Sequence, residues 1–213
     1  MAYKNNKVEE FINKTYSKDP APGGGGVSSL CGALGTALAG MVSNFTTGKK
    51  KYAEFEEDIK EIINKSEKLQ NRFLDLIDED EENFLPLSKA YGIKAETAEE
   101  KKQKQEEISR CSIIACKAPM DIIDTAYEAI LLHKELVKKG SVLLISDVGV
   151  GIECLRSALK GGYLNMMINM GTITDKTFID KNLNAYKKKV DDGIKLCDEI
   201  YEEVLKKLNI EGI

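Results

Sequence analysis

The sequence predicts an all-helical fold, formed as one domain over residues 1–213. Apolar residues recur three or four positions apart along most of the chain, which is the period of an amphipathic helix. Lys, Glu, Leu and Ile are abundant, whereas there are only four prolines and no tryptophan, and this composition favours helix over strand. No hairpin pattern is present, and VLLI at 142–145 is the only β-like stretch.

The N-terminal part of the chain is predicted to form three helices. The first is short, and its apolar positions are Val8, Phe11, Ile12 and Tyr16. The second carries a stripe of large apolar residues, namely Leu30, Leu34, Leu38, Met41 and Phe45. The third is long, runs towards Pro86, and is marked by Phe55, Ile59, Ile62, Leu69, Phe73 and Ile77.

The rest of the chain also follows helical spacing. The charged segment ETAEEKKQKQEE begins a helix whose apolar part is ISRCSIIAC. Pro119 suits the first turn of the next helix, which is expected to stop near Gly140. A further helix covers SVLLISDVGVGIECLRSAL and is expected to end at Gly161 and Gly162. The last helix begins near Asp175 and carries one long apolar stripe.

Composition and charge disfavour several classes of protein. The formal net charge of −4 disfavours nucleic-acid binding, because such proteins usually present a basic surface. The five cysteines include no CxxC pair and are interpreted as small buried hydrophobic residues. His133, the only histidine, is interpreted as a packing or surface residue, so no metal site is predicted. No signal peptide is recognisable, and a cytoplasmic location with reduced thiols is expected.

The glycine-rich stretch PAPGGGGVSSLCGALGTALAGMVSNFTTGKKKY, residues 20–52, allows three interpretations. Its many Gly, Ser, Thr and Asn residues disfavour a membrane span, although residues 20–48 are uncharged. A Walker loop is excluded, because Met41 and Val42 stand where Lys and Ser or Thr are needed. The third interpretation is that another group lies unusually close to this backbone. Gly23–Gly26 precede a helix N-terminus, and their backbone N–H groups, free of side chains, can face a ligand or another chain.

Two other features of this stretch are each open to two interpretations. A ridge of small residues serves either tight helix packing or contact with a second chain; its members are Ala33, Ala37, Gly40 and Asn44. Three lysines, Lys49 to Lys51, form either a solvated basic patch or a binding site for carboxylates of a substrate.

The acidic run DEDEEN at 78–83 contains one carboxylate, Asp80, whose position on the helix differs from that of the others. Phe73, Ile77, Asp80 and Phe84 are four, three and four residues apart, so Asp80 lies on the apolar face of its helix. Apolar surroundings favour the neutral form of an acid and raise its pKa towards values useful for proton transfer. The alternative is a structural carboxylate that pairs with a lysine or a helix end.

Further polar candidates follow in SDVGVG and YLNMMINM. Asp147 is flanked by glycines that leave space beside the backbone. Asn165 and Asn169 lie one helical turn apart and face the same way, and they serve either a heteroaromatic ligand or helix packing. Acid–base chemistry by a carboxylate is therefore the only catalytic chemistry that these residues indicate.

Three motifs together resemble the C-terminal domain of the formiminotransferase-cyclodeaminase family. They are the glycine-rich stretch, LIDEDEENF, and SDVGVGIECLRSALKGGYLNMMINMGTITD, in that order and at similar separations over nearly the whole chain. The family includes formiminotetrahydrofolate cyclodeaminases and methenyltetrahydrofolate cyclohydrolases. Gly26 stands where the family usually has serine, so a hydroxyl contact at that position is not expected.

The resemblance implies up-and-down helices, an intertwined homodimer, and a tetrahydrofolate substrate that reacts without a cofactor. It assigns the catalytic carboxylate to Asp80, with Asp78 as the second choice. The substrate-binding candidates are Gly23, Gly24, Gly25, Gly26, Ser28, Asn44, Lys49, Lys50, Asp147, Asn165 and Asn169.

The implied reaction is conversion of 5-formiminotetrahydrofolate to 5,10-methenyltetrahydrofolate and ammonia. Hydrolysis of the methenyl compound to 10-formyltetrahydrofolate is the alternative, and a non-catalytic helical interaction protein is a third possibility from another class. A separate formiminotransferase and a polyglutamate tail on the folate are further expectations, whereas partners such as nucleic acid or a membrane are not expected.

Overall fold

The structure is a computed structural model that describes residues 3–208. It confirms the all-helical prediction, since this range contains helices and no strand. The α-helices are α1 (Val8–Tyr16), α2 (Gly24–Thr46), α3 (Glu56–Tyr91), α4 (Ala98–Ala115), α5 (Lys117–Lys139), α6 (Ile145–Met170) and α7 (Lys176–Lys207). Three short 3-10 helices lie at Tyr3–Asn5, Lys50–Phe55 and Val142–Leu144.

A continuous apolar core joins five of the helices. Helix α2 packs between α3 and α6, while α5 and α7 cover α6 from its other sides. A smaller apolar cluster holds α4 against the end of α3; its members are Leu87, Ala90, Ile108, Cys111 and Ala115. The start of α2, the middle of α3, and the ends of α4 and α6 consequently converge at one end of the molecule.

Helix α2 buries the opposite face to the one its large residues predict. Leu34 and Phe45 are 54% and 57% exposed, whereas Ala39 is fully buried. A Cβ at Gly35 would lie 2.7 Å from the carbonyl oxygen of Gly151, so only glycine lets the α2 and α6 backbones come this close. The small residues therefore form the packing face, and the predicted apolar stripe lies on the outside.

Helix α2 is also the only helix in residues 3–208 long and apolar enough to cross a membrane, on length and composition alone. More than half of its most apolar window, 56%, is buried within the molecule. Core helices meet the same criterion, and α2 is packed as one.

The prediction that Gly161 and Gly162 end a helix is wrong, because α6 continues through both to Met170. A Cβ at Gly161 would lie 2.1 Å from the Ser28 hydroxyl, and one at Gly162 would lie 3.0 Å from Ile122. These glycines allow α6 to pack closely against α2 and α5. Close packing of the helices, and not the end of a helix, explains why these two residues are glycines.

The prediction for α3 needs correction, whereas that for α1 is confirmed. Helix α3 continues past Pro86 to Tyr91, since the residues of its last turn are buried against α4 and offset the backbone hydrogen bond that proline cannot make. Helix α1 forms where it was predicted, but Phe11 is its only buried residue and the other three members of the predicted apolar face are exposed.

His133 is a packing residue beneath the crossing of α2 and α6. Its imidazole is fully buried, and Nε2–H donates to the carbonyl oxygen of Gly35 at 3.0 Å. Burial lowers the pKa of His133 to about 4, so the ring is neutral at physiological pH. This residue fixes the close approach of α2 and α6.

Candidate active site

A cavity of about 120 Å³ lies where α2, α3, α4 and α6 converge. It is lined by Pro20, Ala21, Gly23, Gly24, Asp80, Glu81, Phe84, Ala115, Asn165, Ile168 and Asn169. The glycine-rich stretch, the acidic run and the asparagine pair are far apart in sequence but meet here. This convergence makes the cavity the candidate active site.

The four glycines form the beginning of α2 and not a loop ahead of it. Gly23 is the N-cap, and Gly24, Gly25 and Gly26 form the first turn. A Cβ at Gly25 would lie 2.1 Å from Oδ1 of Asp80, and one at Gly24 would lie 3.1 Å from Nδ2 of Asn165. Since glycine has no side chain, the backbone of this turn can lie directly against the carboxylate and the amide.

Asp80 is half-buried, and its environment changes its acidity. Burial raises the pKa of Asp80 from 3.8 to about 6, and the backbone N–H of Gly26 partly offsets this by stabilising the carboxylate. No ion pair involves Asp80 within the described part of the chain. A carboxyl group with such a pKa is mostly ionised at neutral pH yet can readily accept and return a proton.

Asn165 and Asn169 hold fixed orientations at the cavity wall. Nδ2 of Asn165 donates to the carbonyl oxygen of Gly161 at 2.8 Å. Nδ2 of Asn169 donates to the carbonyl oxygen of Ala115 at 2.9 Å and so ties α6 to the end of α4. Each amide nitrogen thus uses one of its two N–H groups for helix structure, while the amide oxygens remain as acceptors beside the cavity.

Four predicted residues lie next to the cavity without lining it, namely Gly25, Gly26, Asp78 and Ser28. Asp78 accepts a hydrogen bond from the backbone N–H of Lys4 at 3.3 Å. Ser28 is buried, and its hydroxyl donates to the carbonyl oxygen of Gly24 at 2.6 Å. Ser28 therefore braces the first turn of α2 and supports the glycine backbone beside Asp80.

Four other predicted residues lie away from this cavity within one chain. Lys49 and Lys50 follow the far end of α2, which is about 35 Å long. Asp147 is in the first turn of α6, about 27 Å along the helix from Asn165. Asn44 is exposed near the end of α2 and donates to the carbonyl oxygen of Gly40 in its own helix. Their roles in substrate binding stay predictions.

The cavity also contains residues that the sequence analysis did not select. Phe84 lies one turn after Asp80 on the same helix face, so its spacing was a usable signal. Glu81 was placed near the edge of the apolar face but was not assigned a role. The backbone of Ala115 reaches the cavity only because α4 ends beside α6, and no local pattern indicates that contact.

A larger groove of about 460 Å³ between α2, α6 and α7 is a weaker candidate. Its walls are mainly apolar, and its only carboxylate in the described chain, Glu153, pairs with Arg156 at 3.1 Å. In residues 3–208, no three His, Cys, Asp or Glu side chains are grouped so that they could hold a metal ion. The small cavity remains the site with acid–base chemistry.

Known proteins are similar to this chain in both sequence and fold. The sequence profile of the formiminotransferase-cyclodeaminase family matches residues 7–188. The chain is 34% identical over 205 residues to the methenyltetrahydrofolate cyclohydrolase of Methylorubrum extorquens, with 96% of this chain and 99% of that protein covered. It is also similar to the crystal structure of formiminotetrahydrofolate cyclodeaminase from Thermotoga maritima, with a TM-score of 0.81, 27% identity and 96% of each chain covered.

A longer relative matches over part of its length. The formimidoyltransferase-cyclodeaminase of Rattus norvegicus is 26% identical over 174 residues, which are 82% of this chain and 32% of that protein. The chain thus spans about a third of the length of this animal relative.

Proposed function

The chain belongs to the formiminotransferase-cyclodeaminase family, and we propose that it is a formiminotetrahydrofolate cyclodeaminase. Its relatives are named as cyclodeaminases and cyclohydrolases that act on folate derivatives. The observation that carries the proposal is the position of Asp80, a carboxyl group with a pKa of about 6 that lies against the glycine backbone in a cavity.

The proposed reaction needs one group that first accepts and then donates a proton. N10 of the folate attacks the carbon of the protonated formimino group on N5, so an N10–C bond forms and the C=N electrons move to the formimino nitrogen. Asp80 removes the proton from N10 and delivers it to that nitrogen, after which the C–N bond breaks and ammonia leaves with the electron pair. The carboxylate is regenerated, and the methenyl product carries the positive charge that the substrate brought.

Proton transfer by Asp80 and the positioning of the reacting atoms both contribute to the rate. Positioned proton transfer of this kind contributes about 10²–10⁴-fold. The ring closure is intramolecular, so holding N5 and N10 in an attacking geometry contributes further rate. These steps require no metal or organic cofactor.

The cavity accommodates only part of a folate. Its volume of about 120 Å³ is below the roughly 300 Å³ at which ligand pockets begin. The rest of the substrate therefore extends past Ile168, which is 72% exposed at the rim. Lys49 and Lys50 would bind the carboxylates of its tail only through a long polyglutamate or from a second copy of the chain.

A homodimer is part of the proposal. The outer face of α2 exposes Leu34 and Phe45, and α6 exposes Leu164 and Ile168 beside the cavity rim. Exposed apolar residues on adjoining helices favour burial against another chain. We further propose a cytoplasmic location. We also propose that a formiminotransferase supplies the substrate, because the name of the rat relative joins the two activities.

Cyclohydrolase activity is the second candidate, favoured by the 34% identical relative that matches over nearly its whole length. In that reaction Asp80 would take a proton from a water molecule that attacks the carbon between N5 and N10. Asp80 would return that proton to N5, and the N5–C bond would break with its electron pair going to N5. The hydroxyl group on the carbon would lose its proton to solvent as the formyl C=O forms, which gives neutral 10-formyltetrahydrofolate and releases the charge of the methenyl compound as one proton. The same carboxyl group serves both reactions.

We expect the purified protein to generate the absorbance band of 5,10-methenyltetrahydrofolate when it is given 5-formiminotetrahydrofolate. The matched assay starts from the methenyl compound and measures its loss relative to a reaction without protein. Faster loss, without formation from the formimino compound, identifies the cyclohydrolase instead. Absence of both changes, together with no binding of either folate, contradicts the proposed function.

A further inference from the structure

Every polar side chain that lines the cavity offers a hydrogen-bond acceptor. Asp80 and Glu81 contribute carboxylates, and the two asparagines contribute Oδ1, while each Nδ2 has one of its two N–H groups bonded to a backbone carbonyl. No Lys, Arg or His side chain of residues 3–208 lines it. Such a wall complements a ligand edge that carries N–H donors.

Glu81 is the carboxylate among these that the proposed mechanism does not use. It follows Asp80 directly, so its side chain projects about 100° further around the α3 axis, yet it still lines the cavity. It is half-buried and has no ion pair within the described residues. By contrast, its neighbour Glu79 is held by Arg72.

Tyr3 lies beside Glu81, and the single proton donor of its hydroxyl is shared between the Glu81 carboxylate and the carbonyl oxygen of Ala21. The Tyr3 hydroxyl donates to the carbonyl oxygen of Ala21 at 3.1 Å. Burial and the negative charge of Glu81 raise the pKa of Tyr3, so this hydroxyl stays protonated and uncharged. A carboxylate accepts several hydrogen bonds, so Glu81 keeps acceptor capacity for a ligand beside its contact with Tyr3.

We propose that Glu81 binds the amino-pyrimidinone edge of the pterin ring of the substrate. This role rests on the proposed function and adds a binding residue to it. This edge carries the ring N3–H and the exocyclic 2-amino group, two parallel donors that match the two oxygens of one carboxylate. Asp80 then acts at the N5–N10 side of the substrate while Glu81 fixes the ring. Glu81 is thus a substrate-positioning residue.

The first test compares Glu81→Gln with Glu82→Gln, a matched change at an exposed neighbour outside the cavity. Loss of a charge-assisted pair is expected to raise KM about 10–100-fold with kcat unchanged, because the pair is made equally in the ground and transition states. Glu82→Gln is expected to leave both constants at the wild-type values. An unchanged KM in Glu81→Gln overturns the proposal.

The second test removes the ligand donor instead of the acceptor. A tetrahydrofolate analogue that lacks the 2-amino group is titrated by calorimetry into the wild type and into Glu81→Gln. We expect the analogue to bind the wild type about 10–100-fold more weakly than tetrahydrofolate does, and the difference to be much smaller in Glu81→Gln, whose amide has no charge and one acceptor oxygen. An equal loss in the two proteins shows that another group binds the amino substituent and overturns the proposal.

These measurements separate the inference from the proposed function. If the wild type turns over the folate and Glu81→Gln has the same KM, only the proposed role of Glu81 is overturned. Absence of turnover in the wild type removes the proposed reaction, whereas the binding comparison still decides whether Glu81 contacts the ring.

Discussion

Replacing Asp80 with asparagine is expected to lower kcat by about 10²–10⁴-fold while the substrate still binds. Asparagine has nearly the same shape and can accept the hydrogen bond from the Gly26 N–H, but it cannot exchange a proton at neutral pH. Steady-state kinetics on 5-formiminotetrahydrofolate, or on the methenyl compound if that is the substrate, measures the effect.

The matched comparison is Asp78→Asn, two residues away on the same helix. Asp78 accepts a hydrogen bond from the backbone of Lys4 and does not line the cavity, so its replacement is expected to leave kcat nearly unchanged. The reverse pattern, with activity lost in Asp78→Asn and kept in Asp80→Asn, would move the catalytic role to the second-choice carboxylate.

Asp80→Asn is also expected to be more stable than the wild type at pH 7.5. The folded-state pKa of about 6 lies above the unfolded value of 3.8, so the stability that the neutral acid contributes is complete below 3.8 and is lost as pH rises through 6. The difference between these two pKa values corresponds to about 3 kcal/mol in the free energy of unfolding at pH 7.5. Urea unfolding of both proteins at pH 7.5 should therefore show a gain in the variant that disappears near pH 4.

Replacing Gly25 with alanine is the second change with a large expected effect. The new Cβ would lie 2.1 Å from Oδ1 of Asp80, so the carboxylate or the first turn of α2 must shift. Displacement of a catalytic group by about 1 Å costs roughly 10²-fold in rate, and kcat/KM is expected to fall by at least that factor. Stopped-flow kinetics measures the loss.

Gly92→Ala supplies the control for this substitution. It makes the same chemical change at the end of α3, where the added Cβ would make an ordinary contact at 3.4 Å with the carbonyl oxygen of Lys89. Normal kinetics in Gly92→Ala with a loss in Gly25→Ala supports the steric explanation. Wild-type activity in a folded Gly25→Ala protein would mean that the glycine backbone does not position Asp80.

Local patterns predicted the helices and the candidate catalytic residue, because both depend on spacing along one helix. Asp80 shares a face with Phe73 and Ile77 at helical intervals, and this is visible without any knowledge of neighbouring helices. The end of α5 at Gly140 and the N-cap of α7 at Asp175 were placed correctly for the same reason.

The errors arose where packing between distant segments outweighs local preference. Glycine favours helix ends in isolation, yet Gly161 is mid-helix because the Ser28 hydroxyl occupies the space of its side chain. The large apolar residues of α2 predicted its buried face, but the close crossing at Gly35 requires the small residues to face inward. The contact of Asn169 with Ala115 joins segments 54 residues apart, and one sequence gives no signal for it.

The most direct measurement is an NMR titration of the Asp80 carboxyl carbon in protein labelled with ¹³C-aspartate, with Asp80→Asn used to assign the signal. Burial in the cavity predicts a midpoint near pH 6. A midpoint near 3.8, as for an aspartate in water, would contradict the claim that this cavity prepares Asp80 for proton transfer.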